Sequence, residues 1–335
     1  MPNASEAILY YEADQAQVAI TELTDQGDQL DFRSTDTLWS GFTGKTPVVT
    51  PNGVYDGGVI TPAVSGSNDV VDISACRCYL AGVLTTVSAS VDEALIRPAV
   101  SNYQKQSITI TSGGAFAVVE GAEHTAFSTV RGAAGGPPYI PVGSVEIGQV
   151  WWDSQTPAPV TATEIKQIEG SSLERFDRPT WTVKYSNVAN GILGNAGILF
   201  NSALPTIHTA DVAKKVYASW YTPEFAEIIR AYDWVPPGRT ISVNTTETYG
   251  ETVGSVSRSI GTGSFSALMD TNIHDNILKF ENQLLWFKYY QARLETTRYQ
   301  LAQGYLAVTQ SNPAGDNISA AFTLGAESVA SMVYA

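Results

Sequence analysis

His124, His208 and His274 are the only imidazoles in a chain of 335 residues, and no metal-ligand spacing relates them. Each reads as a surface or loop histidine rather than a base or a ligand. Cys76 and Cys78 stand two residues apart, which places both thiols on one face of a strand. Two cysteines are too few for a structural zinc site, and this spacing does not suit an easy disulfide. They read as reduced, half-buried thiols, in keeping with a reducing cytosol. Asp25-Gln26-Gly27-Asp28 gathers acids without the twelve-residue spacing of a calcium loop. The glycine-rich run from Arg131 to Gly136 neither joins a strand to a helix nor ends in Gly-Lys-Ser/Thr, so it reads as a plain loop. No G-x-S-x-G or H-E-x-x-H pattern occurs. The sequence therefore points to no catalytic residues, no metal and no cofactor, and to a protein that is not an enzyme.

Composition narrows the class further. A formal charge of −14 argues against binding nucleic acid by neutralising phosphates. The charge is uneven: residues 1–165 hold six Lys/Arg against 18 Asp/Glu, and residues 166–335 hold 13 against 15. That shift, with Gln155-Thr156-Pro157-Ala158-Pro159 as a linker, predicts an acidic β-rich accessory domain over 1–160 and a second domain over 161–335. No apolar run approaches 18 residues, so no membrane span is predicted, and the first residues lack the pattern of a signal peptide.

The elements read as mostly β. Strand-like runs occur at Ala7 to Tyr11, Val18 to Ile20, Val70 to Ile73, Tyr79 to Val87, Ile108 to Thr111, Ala115 to Val119 and Ile140 to Trp151. Glycine and proline punctuate them, as in a sandwich or barrel. Trp181 to Tyr185 reads as a strand, and Ile241 to Thr248 and Val253 to Ser257 resume β character. Between them, Thr209 opens a predicted helix through Val212, Val216 and Trp220, and Thr222-Pro223 caps another.

The last quarter is the most patterned. Ser264 to Leu268 reads as a strand, and Asp270-Thr271-Asn272 supplies helix-capping residues. Ile273, Ile277, Phe280 and Leu284 then line one face of a helix near 271–285. From Trp286 the period becomes two, with aromatics on both faces: Trp286 and Tyr290 on one, Phe287 and Tyr289 on the other. Aromatics on both faces suggest that some meet a neighbouring subunit. Arg298 to Val308 and an alternating Ile318 to Leu324 close the pattern.

The order GTGSFSALMD, short helix, WFKYYQAR and QGYLAVTQSNPAGDNISAAFTL resembles the C-terminal part of the major tail (tail tube) proteins of long-tailed, siphovirus-like bacteriophages. YASWYTPEFAEIIRAYDWVPPGRTISVNTT is similar to tail proteins of the same phages, so the resemblance covers about residues 166–335. It implies a mainly β fold, with a tail-tube-type β-sandwich or barrel and a short flanking α-helix, plus the second β-rich N-terminal domain. It implies a structural virion protein, assembled in the host cytoplasm, whose hexameric rings stack into the tail tube. Its partners would be copies of itself, the tape measure, tail terminator and tail tip proteins, and genomic DNA in transit without specific binding. Glu247, Glu251 and Asp270 are then the acids placed nearest the lumen. The alternative is a virion-borne or secreted β-sandwich that binds carbohydrate; a β-rich hydrolase lacks any readable nucleophile and base.

Overall fold

The computed structural model describes residues 6–34, 46–168, 172–184, 197–269, 274–295, 297–311, 314, 317–326 and 328–334. It is mainly β, in several sheets, and among the described residues none closes into a barrel. Leu9 and Tyr11 begin the buried side of a 15-residue strand, Ile8–Glu22, around which the largest sheet forms. Its nine strands run in the order Ala231–Val235, Gly263–Leu268, Ser319–Gly325, Arg298–Ser311, Leu284–Tyr290, Ile8–Glu22, Val216–Glu227 and Val48–Pro51, with Ser331–Tyr334 also paired to Arg298–Ser311. Every pairing is antiparallel. Two of these strands precede the predicted boundary at 160/161 and seven follow it.

Alternation along the strands fills both faces of this sheet. Leu285 and Phe287 join Leu9, Tyr11, Phe265 and Phe322 in one core. Phe265 and Phe322 are cross-strand partners whose rings stack 4.5 Å apart at 8°. Trp286, one residue out of phase, packs on the opposite face with Leu301, Phe225, Tyr299 and Val333. Each fully buried side chain of this size contributes about 1.5–3 kcal/mol.

Residues between 54 and 160 build a separate core from Val71, Ile73, Cys78, Ile108, Ile147 and Trp152, among others. Cys76 and Cys78 lie in it as free thiols on one face of one strand, Cys76–Leu80, as their spacing predicts, but both are fully buried rather than half-buried, because sheets and loops cover that face. The run from Tyr79 to Val87 is not one strand but a hairpin turning at Ala81 and Gly82. Both have positive φ (49° and 78°), the backbone that two-residue hairpin turns require. A third core gathers Leu23, Phe32, Ile198, Phe200, Val216 and Trp220.

The predicted helices fare worse than the strands. The helix near 271–285 is reduced to His274–Leu278 among the described residues. Phe280, Glu281 and Gln283 donate to carbonyls three residues back, and Asn282 takes φ 64°, so the chain tightens and turns. Leu284 already lies in the next strand, opposite Tyr305. The helices predicted through Trp220 and from Thr222 are a single strand, Val216–Glu227. Val216 and Trp220 are four apart, a spacing that fits period two as well as 3.6; buried Ala218 between them decides for a strand. Pro223 sits beyond Ser219, the last residue paired to Val48–Pro51, where the strand's outer side can do without an N–H. Among the described residues no helix is long and apolar enough to cross a membrane.

Candidate assembly interface

Arg239–Glu247 and Thr252–Ile260 pair with each other and with no other described strand. Their nine-residue register runs from Arg239↔Ile260 to Glu247↔Thr252. That makes an arm roughly 27 Å long, at about 3.4 Å per residue. Every residue of both strands is exposed. The turn is closed by Thr248, whose N–H and Oγ1 both donate to the Glu251 carbonyl, at 2.9 and 2.7 Å.

The two faces of the arm differ. Thr240, Ser242, Asn244 and Thr246 stand opposite Ser259, Ser257, Ser255 and Val253, which makes one face mostly hydroxyl and amide. On the other, Ile241 and Val243 lie beside Val256 and Ile260, with no core beneath them. Val243 is 62% exposed and Val256 59%. Arg239 lies opposite Ile260 at the base, Arg258 stands between Val256 and Ile260 and interrupts the stripe, and Glu247 lies beyond it at the tip. With Glu251 in the turn, the arm carries two bases and two acids and is neutral, in a chain of charge −14.

A lone two-stranded hairpin is marginal in water, and this one leaves an apolar face uncovered among the described residues. The main sheet ends in short strands, Ala231–Val235 and Val48–Pro51, although Val216–Glu227 runs on past Ser219, its last residue paired to Val48–Pro51, and leaves part of its outer edge open. Among the described residues the arm is open along the whole outer edge of both its strands.

The predicted interface aromatics are corrected by their burial. Trp286 and Phe287 are fully buried within the chain, on opposite faces of the sheet, and present nothing to a second subunit. Tyr289 and Tyr290 are half-buried: Tyr289 stacks on Trp234 at 5.9 Å, and Tyr290 meets Tyr10 edge-on at 5.7 Å and Tyr299 at 5.3 Å. Ile277 is buried against the main core, Phe280 half-buried against Tyr11, and Leu284 half-buried in its strand. Ile273 and Asp270 lie outside the described residues. Glu247 and Glu251 sit together at the exposed tip of the arm.

Of the histidines, His124 is exposed and accepts the Ala126 N–H, while buried His208 contacts the Ser144 carbonyl through Nε2 at 3.1 Å. They are not neighbours in any cluster with metal-ligating geometry among the described residues. Sequence reasoning recognised the β character of the arm but not its isolation. The signal was present in Ile241 and Val243 alternating with Thr240, Ser242 and Asn244. Comparison with protein-family models, with curated proteins and with solved structures returns no match for this chain.

Proposed function

We propose that this chain is a structural subunit that polymerises, through its arm, into the tail tube of a long-tailed bacteriophage. The observation that carries the reading is the neutral arm with an uncovered apolar face on an otherwise acidic chain. Neutrality lets copies approach without the repulsion that their net charge would impose, and apolar burial supplies the drive. The arm's edges each have one partner and room for another. An arm that reaches from each copy onto the next repeats without closing, and that is how a short protein builds a long filament. Rings stacked in this way enclose a conduit, and an acidic wall would let DNA pass without adhering.

The test is assembly of purified protein, followed by sedimentation over a range of concentrations and by negative-stain microscopy. Rings or tubes are expected from the intact chain, and only single copies from one in which residues 240–259 are replaced by a short glycine-serine turn. An intact chain that stays monomeric at every concentration sinks the proposal, as does an armless chain that still forms tubes.

A further inference from the structure

The strands Gln104–Ile110 and Val145–Trp152 are buried on both faces, and the two faces are unlike. Ile108, Ile110, Ile147, Val150 and Trp152 face the apolar core. Lys105, Ser107, Glu146, Gln149 and Trp151 take the other side, where Lys105 pairs with Trp151 and Ser107 with Gln149 across the strands. That polar side borders a cavity of about 770 Å³, closed opposite by Leu173, Glu174, Pro205, Ile207 and Lys214. Five basic side chains line it against two acidic ones, in a chain whose overall charge is −14.

Both acids are already engaged. Glu146 takes Arg131 at 2.7 Å, the Ser107 hydroxyl at 2.5 Å and the Gln149 amide at 3.0 Å. Glu174 accepts the Glu146 backbone N–H at 3.0 Å and lies 3.2 Å from the Lys214 ammonium. Lys105, only 2% exposed, is left without a carboxylate among the described residues. Its Nζ donates to the Ser128 carbonyl at 2.8 Å and rests 3.6 Å from the centre of the Trp151 ring. An ammonium has three protons to donate, and a buried cation without a counter-ion is costly to keep. Burial pushes the Lys105 ammonium down from its ordinary range, which an arriving anion would reverse.

We propose that this cavity binds a small organic anion, its carboxylate or phosphate-ester group at Lys105 and its body between Trp151, Gln149 and the Leu173, Pro205 and Ile207 side. The volume lies in the range of ligand pockets, and polar and charged side chains outnumber the apolar ones in the lining, with basic groups in excess, which suits a small anion rather than an apolar ligand. The inference does not depend on the arm or on assembly.

The experiment is calorimetric titration of the full-length protein with glucuronate, glucose 6-phosphate, glucose and inorganic phosphate. One or both organic anions should bind while glucose does not, and which of the two binds separates a carboxylate ligand from a phosphate ester. Lys105→Met, unbranched and of similar length, should weaken that binding roughly ten- to hundredfold, the usual effect of losing a charged hydrogen bond. Lys279→Met, at an exposed lysine outside the cavity, should leave it unchanged. Should the methionine variant not fold, Lys105→Gln repeats the test, and the preference of the wild-type protein for anion over glucose decides by itself. Absence of binding at about 10 mM of any probe overturns the proposal. So do equal binding of glucose, binding of inorganic phosphate alone, and an unchanged affinity in a folded Lys105 variant.

Discussion

Val243 and Val256 face each other across the arm, 62% and 59% exposed, with none of the described residues packed over them. Val64, Val91 and Val100 are more exposed still, so exposure alone does not mark this pair; what sets it apart is its place with Ile241 and Ile260 on one face of a free-standing arm, a grouping suited to a second surface. Val256→Asp therefore separates folding from assembly. At an exposed site, stability should move by no more than about 0.5 kcal/mol, so the denaturant midpoint stays put. Tube or ring formation should be lost, because each joint would then bury an unpaired carboxylate. Normal assembly by Val256→Asp would show that the apolar face is not the joint.

Ile277 gives the opposite pattern. It is 2% exposed and packs on the core formed by Leu9, Phe265 and Phe287. Ile277→Asp should cost several kcal/mol, comparable with the whole stability of a domain, and yield insoluble protein. Ile277→Val should cost only about 0.5–1.5 kcal/mol. A soluble Ile277→Asp with an unchanged melting curve would mean that the short helix does not dock where it is drawn.

Trp286→Ala distinguishes a core residue from an interface residue. A tryptophan held for another subunit would leave the isolated chain equally stable when truncated. Buried as it is against Leu301, Phe225 and Tyr299, its loss should cost about 3–5 kcal/mol, read from urea unfolding at a concentration too low for assembly. Its backbone N–H also donates to buried Glu12 at 3.1 Å, across 274 residues of chain, so the first and last quarters should loosen together.

These cases show what the sequence made legible. The strands of the last quarter could be read because Leu285, Phe287, Ala302, Phe322 and Leu324 alternate cleanly between a core and its opposite side. Apolar spacing overstates the helix at Ile277, because Phe280 and Leu284 keep helical spacing by coincidence while the left-handed turn at Asn282 leaves no trace in apolar periodicity. The aromatic run at Trp286 could not reveal that both faces of its strand are covered, since Phe225, Trp234 and Tyr299 come from elsewhere in the chain. The Lys105 cavity is invisible for the same reason: its walls come from 105–151, 172–179 and 202–214, and only folding brings them together.

Glu123 ties a loop through its carboxylate and makes stability depend on pH. The backbone N–H groups of Ala99, Ser101 and Val100 donate to it at 2.7, 2.6 and 2.7 Å, and they hold its carboxyl below the ordinary glutamate range. The unfolded chain then takes up the proton at higher pH than the folded one. Its contribution is complete above the unfolded value and is lost as pH falls through the lower, folded value. Between about pH 5 and about pH 3, wild-type protein should lose more stability than Glu123→Gln, which has no charge to lose there. Parallel urea midpoints for the two over that range would remove Glu123 from the acid response.

Glu247 at the tip of the arm and Arg258 near its base lie on one face, Arg258 opposite Ile241 within the apolar stripe and Glu247 beyond Thr245 at its far end. Two placements of Glu247 have different consequences. On the wall of a conduit, Glu247→Lys would be repeated in every copy and would line the channel with positive charge. Tubes would form normally, and DNA would leave more slowly, above all at low salt. At a joint between copies, the tip of one arm would lie beside the base of the next, and Glu247→Lys would set like charges against Arg239 and Arg258. The polarity of the arm favours the joint, because its two arginines lie toward the base and its acid at the tip of the face that carries the apolar stripe, and opposite charges at opposite ends can fix register. The expected result is therefore that Glu247→Lys blocks tube growth, that Arg258→Glu also weakens it, and that the two together restore it. The same test applies to Glu251, whose place in the turn makes it the weaker partner, so Glu251→Lys should lengthen assembly rather than abolish it. Normal tubes from Glu247→Lys with slowed DNA ejection would instead put this acid on the channel wall, and normal tubes with unchanged ejection would remove it from both.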